Sequence, residues 1–460
     1  MAAPERGVKK MRFHVARLAL LLIVHPVWSQ TSPITGPDLA EIPIPVIHTN
    51  ADVMPGIDAL PVRKALPDVL VMNDGTRVTT PKQWRKRREE MRRILSYYAV
   101  GQMPPAPGNL KGVEGASELV LDGTVKYRQV RLIFGPSRKL ALDIGIFAPL
   151  TGAPFPAIIL QSGSVPGAPM LPRLPQGANQ GRGQDVLLIV APEQATPVMP
   201  AGQGQSPTAR EMASEHAEVF RRGYALVVYN PNDCAEDTTL RNPDGSWAFR
   251  DTRFFPAYPG YDWGILAAWA WGASRVADYL EQDRSIDSTR LIITGASRNG
   301  KSSMIAAAFD ERLAAAPVVT GGGGIGAYRL AGPRNSETLD IMQKKYPNWF
   351  SPNLHQFWGQ VDKLPFDEHW FLALAAPRPF IALEGTTDTI SLPEAVKASI
   401  LAARPAYSLL GVADRLGVHY SDHGHAFTNE DWTAMLDFFD KTLRGRTVAQ
   451  TFDHFGPDTQ

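Results

Sequence analysis

The most informative segment of the chain is Leu291-Ile-Ile-Thr-Gly-Ala-Ser297-Arg-Asn-Gly-Lys301. Its first four residues have the apolar, β-branched character of a buried strand, and the small and apolar residues from Ser302 to Phe309 predict a helix. The pattern places Ser297 on a sharp turn, where small neighbours such as Gly295 and Ala296 avoid clashes. A serine in that setting is typical of a nucleophile elbow. The alternative is an ordinary glycine-containing turn with a solvent-facing serine.

The elbow departs in one respect from the usual G-x-S-x-G pattern of α/β-hydrolases. Asn299 takes the place of the second glycine, and the glycine follows at Gly300. Asparagine adopts unusual backbone angles more readily than most residues. The departure is therefore modest, and the segment remains compatible with that fold.

Strand-like and helix-like patterns alternate on both sides of the elbow. This alternation predicts an α/β-hydrolase three-layer sandwich, with a mostly parallel central sheet, helices on both faces and long active-site loops. Residues 81–445 are expected to form one catalytic domain. The predicted strands are Glu118–Leu132, Leu140–Pro149, Pro156–Leu160, Val186–Val190, Tyr224–Tyr229, Ala316–Thr320 and Pro379–Glu384, and the predicted helices are Pro81–Tyr98, Arg210–Arg221, Asp262–Glu281 and Asp431–Leu443. Residues 334–351 and 357–370 are expected to form a lid-like insertion.

The composition is that of a globular protein with a sizeable core, with 44% hydrophobic and 20% charged residues among 460. Residues 1–29 carry a net charge of +4, so the rest of the chain is slightly acidic and no nucleic-acid partner is indicated. The single cysteine, Cys234, excludes an internal disulfide.

The N-terminal residues 1–29 resemble a secretory signal. Basic residues precede an apolar run at Leu18–Val24 that is too short to cross a bilayer. A disordered basic tail is the alternative. Residues 30–80 are predicted to be an extended Pro-rich arm, and 446–460 a C-terminal tail. An exported protein without disulfides fits a bacterial periplasm or secretion by a bacterium, with no membrane association once the signal is removed.

Three residues occur in the α/β-hydrolase order of nucleophile, acid and histidine: Ser297, Asp388 and His425. A serine hydroxyl needs a base within hydrogen-bond reach, and the base needs an orienting acid. His423 competes with His425 for the role of base. A metal site formed by His419, His423 and His425 is the other alternative, although their spacing gives no shared face.

Two cations accompany the elbow. Arg298 directly follows the candidate nucleophile, so its backbone N–H and its charge are expected to stabilise an oxyanion, unless it forms a structural salt bridge. Lys301 lies one helical turn further on the same side, where it can contact a substrate hydroxyl or carboxylate or neutralise a buried acid. The loop Gln161–Ser164 either supplies a second oxyanion-hole N–H or is a plain turn. Gly321–Gly324 is expected to line the floor of the site.

The chain resembles the glucuronoyl esterases, carbohydrate esterase family 15. The resemblance rests on Gly295–Lys301, on Ala268-Trp-Ala-Trp-Gly-Ala-Ser-Arg275, and on Leu364–His369, Ala376–Pro379 and Tyr346–Phe350. It implies cleavage of the ester between glucuronic acid side groups of xylan and lignin alcohols, without a cofactor. It also implies that Ser297 is the nucleophile, Arg298 the oxyanion stabiliser, Lys301 a contact to sugar hydroxyls and His425 the base. The expected partner is glucuronoxylan or another lignin–carbohydrate ester, and the enzyme is expected to be a monomer.

The chain also differs from the family pattern. Many members join a cysteine before the serine to a cysteine after the histidine, where this chain has Ala296 and Ala426. Thr320 stands where many members carry the acid as glutamate, which leaves Asp388 as the candidate. Ile390 stands near the place of a sugar-stacking tryptophan, and Glu337 approximates a sugar-contacting acid. A carbohydrate acetyl or methyl esterase of the same fold, or a non-catalytic carbohydrate-binding relative, are therefore the alternatives.

Overall fold

A computed structural model describes residues 1–2, 54–175, 206–331 and 337–455. The predicted signal segment at 1–29 lies almost wholly outside the described residues, and so do the first part of the predicted arm and the predicted strand Val186–Val190. Among the described residues, no helix is long and apolar enough to cross a membrane.

The centre of the structure is one sheet of nine strands in the order β1-β2-β3-β5-β4-β6-β7-β8-β9. The strands β1 to β3 and the pair β3–β5 are antiparallel, whereas the pairs from β5 to β9 are parallel. The strands are Lys111–Val120 (β1), Val125–Phe134 (β2), Leu140–Pro149 (β3), Phe155–Gln161 (β4), Ala225–Tyr229 (β5), Ile286–Ala296 (β6), Leu313–Val318 (β7), Phe380–Gly385 (β8) and Leu416–Ser421 (β9).

Helices cover both faces of the sheet. Adjacent residues of one strand belong to different cores. The core of Ile293 also contains residues of the helices at 81–95, 265–280, 298–309, 369–375 and 393–409, and the core of Ile292 contains residues of the helices at 209–215, 217–221 and 429–444. The α/β fold predicted from the alternation of elements is confirmed. The helices are Pro81–Leu95 (α1), Ala209–Glu215 (α2), Ala217–Arg221 (α3), Ile265–Leu280 (α4), Arg298–Phe309 (α5), Leu339–Lys345 (α6), His369–Ala375 (α7), Pro393–Leu409 (α8) and Asn429–Arg444 (α9).

The parallel strands are buried on both faces. Every residue of β5, β7 and β8 is buried, as expected for strands covered by helices on each side. This double burial explains why these strands appear in the sequence as continuous apolar runs and could be predicted from them.

The predicted single strand Glu118–Leu132 is wrong. The chain turns there and forms the hairpin β1–β2, and positive φ angles occur at Leu121 (47°), Asp122 (53°) and Gly123 (79°). The Asp-Gly pair is a hairpin signal, but the apolar residues on both sides of it resemble one continuous alternating strand.

The segment 54–80 and the C-terminal segment contribute to the cores. Val69, Leu70 and Val78 are buried in the same core as α1, and Phe452 packs against Phe438 of α9. Thr80 then begins α1 with a capping box in which its side chain and that of Gln83 bond each other's backbone N–H. Residues 54–80, the part of the predicted arm that the structure describes, thus pack into the core of the fold.

A buried ion pair joins the Leu364–His369 segment to the loop after β7. Arg329 Nη1 lies 2.9 Å from Asp367 Oδ2, and the two side chains are 2% and 0% exposed. The same carboxylate accepts the backbone N–H groups of Tyr328 at 2.8 Å and Glu368 at 2.9 Å. The Asp367 carboxylate therefore holds the backbone at Tyr328 and at Glu368 in place.

We expect Arg329→Met to lower the free energy of unfolding by about 3–5 kcal/mol, because it leaves a carboxylate buried without its counter-charge. The control is Arg77→Met, whose pair with Asp68 is about half exposed and should be worth less than about 1 kcal/mol. Urea unfolding of both variants measures the difference. Equal losses of unfolding free energy in the two variants would contradict a larger contribution from the buried pair.

Candidate active site

Ser297 lies at the junction of β6 and α5 with φ 55° and ψ −122°. Its N–H donates to the carbonyl of Val318 at 2.9 Å, and its own carbonyl accepts the N–H of Lys301 at 3.0 Å. A positive φ at a residue with a side chain is uncommon and strained. The sharp strand-to-helix turn expected around this serine is therefore present.

Two glycines make room for the turn. A Cβ at Gly295 would lie 2.7 Å from the Cβ of Asn299, and a Cβ at Gly300 would lie 2.7 Å from Thr320 Cγ2 and 2.8 Å from the carbonyl oxygen of Gly295. Neither position can carry a side chain without displacing the backbone around it. The shifted glycine at position 300 is thus used to pack α5 against β6 and β7.

Asn299 has a different role from the one inferred from its backbone tolerance. It lies in the first turn of α5, and its side-chain amide donates to the carbonyl of Gln161 at 3.2 Å. The side chain of Gln161 donates in return to the carbonyl of Asn299 and to Ser303 Oγ, both at 2.9 Å. This reciprocal pair fixes the loop after β4 to the elbow. The N–H of Ser162 in that loop donates to the carbonyl of Tyr229 at 2.9 Å.

Asp388 and His425 are in direct contact. His425 Nδ1 lies 2.8 Å from Asp388 Oδ2, while Asp388 Oδ1 accepts the N–H of Ile390 at 2.8 Å. Burial raises the pKa of the Asp388 carboxyl, but the hydrogen bonds from His425 and Ile390 outweigh it and hold that pKa below its ordinary value. The acid is therefore ionised at neutral pH and orients the imidazole ring.

The alternative base, His423, has a different partner. Its Nε2 lies 3.1 Å from Asp431 Oδ2, and its Nδ1 lies 2.7 Å from the carbonyl oxygen of Gly424. Asp431 is fully buried and also accepts the N–H of Thr428 at 2.8 Å in the capping box of α9. Burial lowers the pKa of His423, but the Gly424 carbonyl and the Asp431 carboxylate outweigh it and leave that pKa raised. These contacts tie His423 to the start of the last helix.

Lys301 is completely buried and lies 2.7 Å from Glu337 Oε2. Its ammonium group also donates to the carbonyl of Thr320. Thr320 Oγ1 accepts the N–H of Ile325 at 2.9 Å. The Thr320 side chain is therefore hydrogen-bonded to the glycine-rich loop and not to a candidate catalytic group. A Cβ at Gly321 would lie 2.7 Å from Glu337 Oε2. The glycine-rich loop thus approaches the Lys301–Glu337 pair closely.

Arg298 forms an ion pair with Asp237, a residue that sequence reasoning did not single out. Its guanidinium carbon lies 5.5 Å from the ring centre of Trp349, and Lys301 Nζ lies 5.8 Å from the same ring. Tyr346 stacks on Trp349 with ring centres 3.9 Å apart and an angle of 9°. Both cations beside the elbow are therefore within cation–π range of one indole.

The candidate residues share one edge of the sheet because β6, β7, β8 and β9 run parallel as neighbours. Ser297 follows β6, Asp388 follows β8 and His425 follows β9. Neighbouring strands are about 4.8 Å apart, so the loops that follow β6, β8 and β9 lie close together at the carboxyl ends of these strands. The candidate metal set of His419, His423 and His425 is not brought together, and no other group of three or more His, Cys, Asp or Glu side chains within residues 54–175, 206–331 and 337–455 is placed to hold a metal ion.

Comparison with known proteins finds similarity to glucuronoyl esterases over most of the chain. A family model described as "Glucuronyl esterase, fungi" matches residues 193–411. A carbohydrate esterase of an unidentified prokaryote is 28% identical over 404 residues, which cover 83% of this chain and 90% of that protein. A 4-O-methyl-glucuronoyl methylesterase of Hypocrea jecorina is 27% identical over 413 residues, covering 87% and 74% respectively. The solved glucuronoyl esterase of Solibacter usitatus superposes with a TM-score of 0.66 at 26% identity, covering 83% of this chain and 98% of the other.

The chain is similar over most of its length to glucuronoyl esterases of carbohydrate esterase family 15. The relatives that are named for their activity are carboxylic ester hydrolases. The resemblance inferred from the elbow and the Trp-rich segment before it is confirmed.

One buried carboxyl of this protein was not anticipated from the sequence. Glu384 lies at the end of β8, is 1% exposed and accepts a hydrogen bond from Ser391 Oγ. Burial raises the pKa of this carboxyl to about 8, although the Ser391 hydrogen bond lowers it, and the nearby Asp388 charge adds to the rise. The sequence around Glu384 is an otherwise apolar strand, and nothing in it indicates that this carboxyl is buried with a raised pKa.

This raised pKa predicts a pH dependence of stability. Between the ordinary carboxyl pKa and about 8, the folded state holds a proton on Glu384 that the unfolded state has lost, so this group lowers the free energy of unfolding as pH rises. Glu384→Gln removes the effect. We expect the melting temperature of the variant, relative to wild type, to increase between pH 5 and pH 8 and then level off.

Glu394→Gln at an exposed position of α8 is the control. Thermal melting at several pH values compares the two variants. A difference between Glu384→Gln and wild type that stays constant with pH would refute the buried, protonated state of Glu384.

Proposed function

We propose that the chain is a serine esterase that hydrolyses esters of glucuronic acid, or of 4-O-methyl-glucuronic acid, through an acyl-enzyme formed on Ser297. The observation that carries the proposal is the Asp388–His425 hydrogen bond of 2.8 Å at the sheet edge where the strained Ser297 turn lies. The acid's partner is Nδ1, which leaves His425 Nε2 for the serine hydroxyl. This is the division of roles that acyl transfer to serine requires.

The first half-reaction transfers the glucuronoyl group to the enzyme. Ser297 Oγ attacks the ester carbonyl carbon while His425 Nε2 takes the hydroxyl proton. Asp388 stabilises the imidazolium that results. When the tetrahedral intermediate collapses, the bond to the alcohol oxygen breaks and His425 returns the proton to the departing alcohol. Water then attacks the acyl-enzyme by the same route, and the products are the free uronate and regenerated Ser297.

The developing oxyanion is stabilised at the start of α5. The backbone N–H of Arg298 is at the N-terminus of this helix, where the helix dipole favours negative charge. The guanidinium of Arg298, which is paired with Asp237, adds further N–H donors. Hydrogen-bond donors of this kind are typically worth about 2.7–4 kcal/mol of transition-state stabilisation each.

The sugar is held beside the elbow by Lys301 and Glu337. Their pair is buried, with side chains 0% and 13% exposed, and offers a donor and an acceptor to sugar hydroxyls. The curated relative from Hypocrea jecorina is named for 4-O-methyl-glucuronoyl esters, which supports a uronate as the acyl group. We extend this to lignin alcohols as the natural leaving group and glucuronoxylan as the carrier. The signal-like residues 1–29 support export to the periplasm or beyond.

Substitution of a proposed catalytic residue should lower activity, whereas substitution of a nearby residue without a catalytic role should not. We expect Ser297→Ala to abolish fluorophosphonate labelling and to lower kcat by about 10⁶-fold, and Asp388→Asn to lower it by about 10⁴-fold because the imidazole loses its orienting charge. Asp422→Asn, an exposed carboxylate in the His425 loop, should leave kcat unchanged. Labelling that survives in Ser297→Ala would refute the nucleophile.

The choice of base has its own test. His425→Gln should lose activity as completely as Ser297→Ala, whereas His423→Gln should retain kcat and lose stability, because His423 contacts the capping carboxylate of α9. Ester hydrolysis and thermal melting are measured on both variants. The reverse pattern would transfer the role of base to His423.

A second candidate function, hydrolysis of acetylated sugars, is favoured by Ile390 and Thr320, which stand where the family resemblance implies tryptophan and glutamate. We expect kcat/KM for benzyl glucuronate to exceed that for 4-nitrophenyl acetate by at least about 10-fold, since a site built to bond sugar hydroxyls penalises a substrate that lacks them. Lys301→Met should reduce the glucuronate value selectively. Faster turnover of the acetyl ester would favour the second function.

A further inference from the structure

The loop after β5 inserts a carboxylate into the candidate active site. Asp237 pairs through Oδ2 with Nη1 of Arg298, the residue directly after Ser297. Its Oδ1 accepts the indole N–H of Trp349 at 2.8 Å. One carboxylate therefore joins the elbow to the insertion that carries the stacked Tyr346–Trp349 rings.

Asp237 is itself firmly held. Its side chain is 4% exposed, and its N–H donates to Asn232 Oδ1 at 3.2 Å. Trp349 is 2% exposed, and the neighbouring Asn348 side chain donates to the carbonyl of Thr238 at 2.7 Å. The loop after β5 and the segment that carries Trp349 are thus hydrogen-bonded to each other at Asp237 and at the adjacent Thr238.

Arg298 needs such a partner. Its side chain is 39% exposed, and an arginine side chain free in solvent samples many rotamers whose restriction costs conformational entropy. If the Arg298 side chain became ordered only when substrate binds, this entropy cost would reduce its net stabilisation of the transition state. A buried carboxylate that holds it beforehand removes this cost before the reaction begins, as preorganised catalysis requires.

We propose that Asp237 is a positioning residue that fixes the Arg298 guanidinium beside the oxyanion site. The proposal rests on the serine esterase function above and on the contacts of Asp237 with Arg298 and Trp349. Asp237 acts through Arg298 and touches no reacting atom. The effect of removing it must therefore depend on the presence of the arginine.

Asp237→Asn keeps the size of the side chain and an acceptor for the Trp349 indole, but it loses the charge that holds the guanidinium. We expect kcat on benzyl glucuronate to fall about 10- to 100-fold with KM changed less than about 3-fold, because a displaced oxyanion donor affects the transition state more than the bound ester. The control is Asp244→Asn, an exposed carboxylate in the same loop region, which should behave as wild type.

A double-mutant cycle tests the dependence on Arg298. In the Arg298→Met background, Asp237→Asn should lower kcat by less than about 2-fold further, because the partner is already absent. An independent, multiplicative loss in the double variant would overturn the positioning role. So would a wild-type kcat in Asp237→Asn alone.

Chemical rescue of Arg298→Ala, which keeps Asp237, tests the proposal even if Asp237→Asn does not fold. Guanidinium ion at millimolar concentration should restore part of the kcat of this variant, since Asp237 still offers a site for it. A folded Arg298→Ala variant in which guanidinium ion restores no kcat would overturn the proposal. An active Ser297→Ala variant would instead refute the proposed function, which makes the two failures distinguishable.

Discussion

The strained backbone of Ser297 is the constraint on which the rest of the site depends. A left-handed conformation at a residue with a side chain costs of order 1–3 kcal/mol and persists only where the surroundings impose it. Here the surroundings are the carbonyl of Val318 and the close contacts of Gly295 and Gly300. These belong to the central strands and the first helical turn. The position of the hydroxyl is therefore set by close packing between the central strands and the first turn of α5.

The charges around this turn are paired. Lys301 is fully buried against Glu337, and Arg298 is held by Asp237. Removing a cation from water is costly unless a counter-charge and further hydrogen bonds compensate, and the Thr320 carbonyl supplies one such bond. Both cations also lie near the Trp349 ring. The segment that carries this tryptophan thus contributes to the electrostatics of the elbow.

The carboxylate that contacts His425 follows the strand β8 and does not come from the loop after β7. Thr320 occupies the latter position and bonds the glycine-rich loop through Ile325. Because β8 is the direct neighbour of β9, a carboxylate that follows β8 can meet a histidine that follows β9 without a long reach. Asp388 meets His425 in this way. The sheet order accommodates an acid after either strand, which explains how the chain keeps a His–Asp pair without the glutamate.

The sequence alone was sufficient for the features that depend on local patterns. The continuous apolar runs at 225–229 and 380–385 required strands buried on both faces, and the small residues around Ser297 required a tight strand-to-helix turn. The order of Ser297, Asp388 and His425 followed from the same reasoning. The one strand prediction that failed did so because the residues flanking Asp122-Gly123 continue an alternating pattern through a turn.

Only the tertiary structure decided which polar side chains meet. The pairs Asp237–Arg298 and Gln161–Asn299 are 61 and 138 residues apart in the chain. The sequence favoured His425 over His423 as the base, but only the structure shows that each histidine contacts a different aspartate. Local periodicity states which face of an element is buried. It does not state which strand ends become neighbours, and that neighbourhood determines the partner of every charged group in this site.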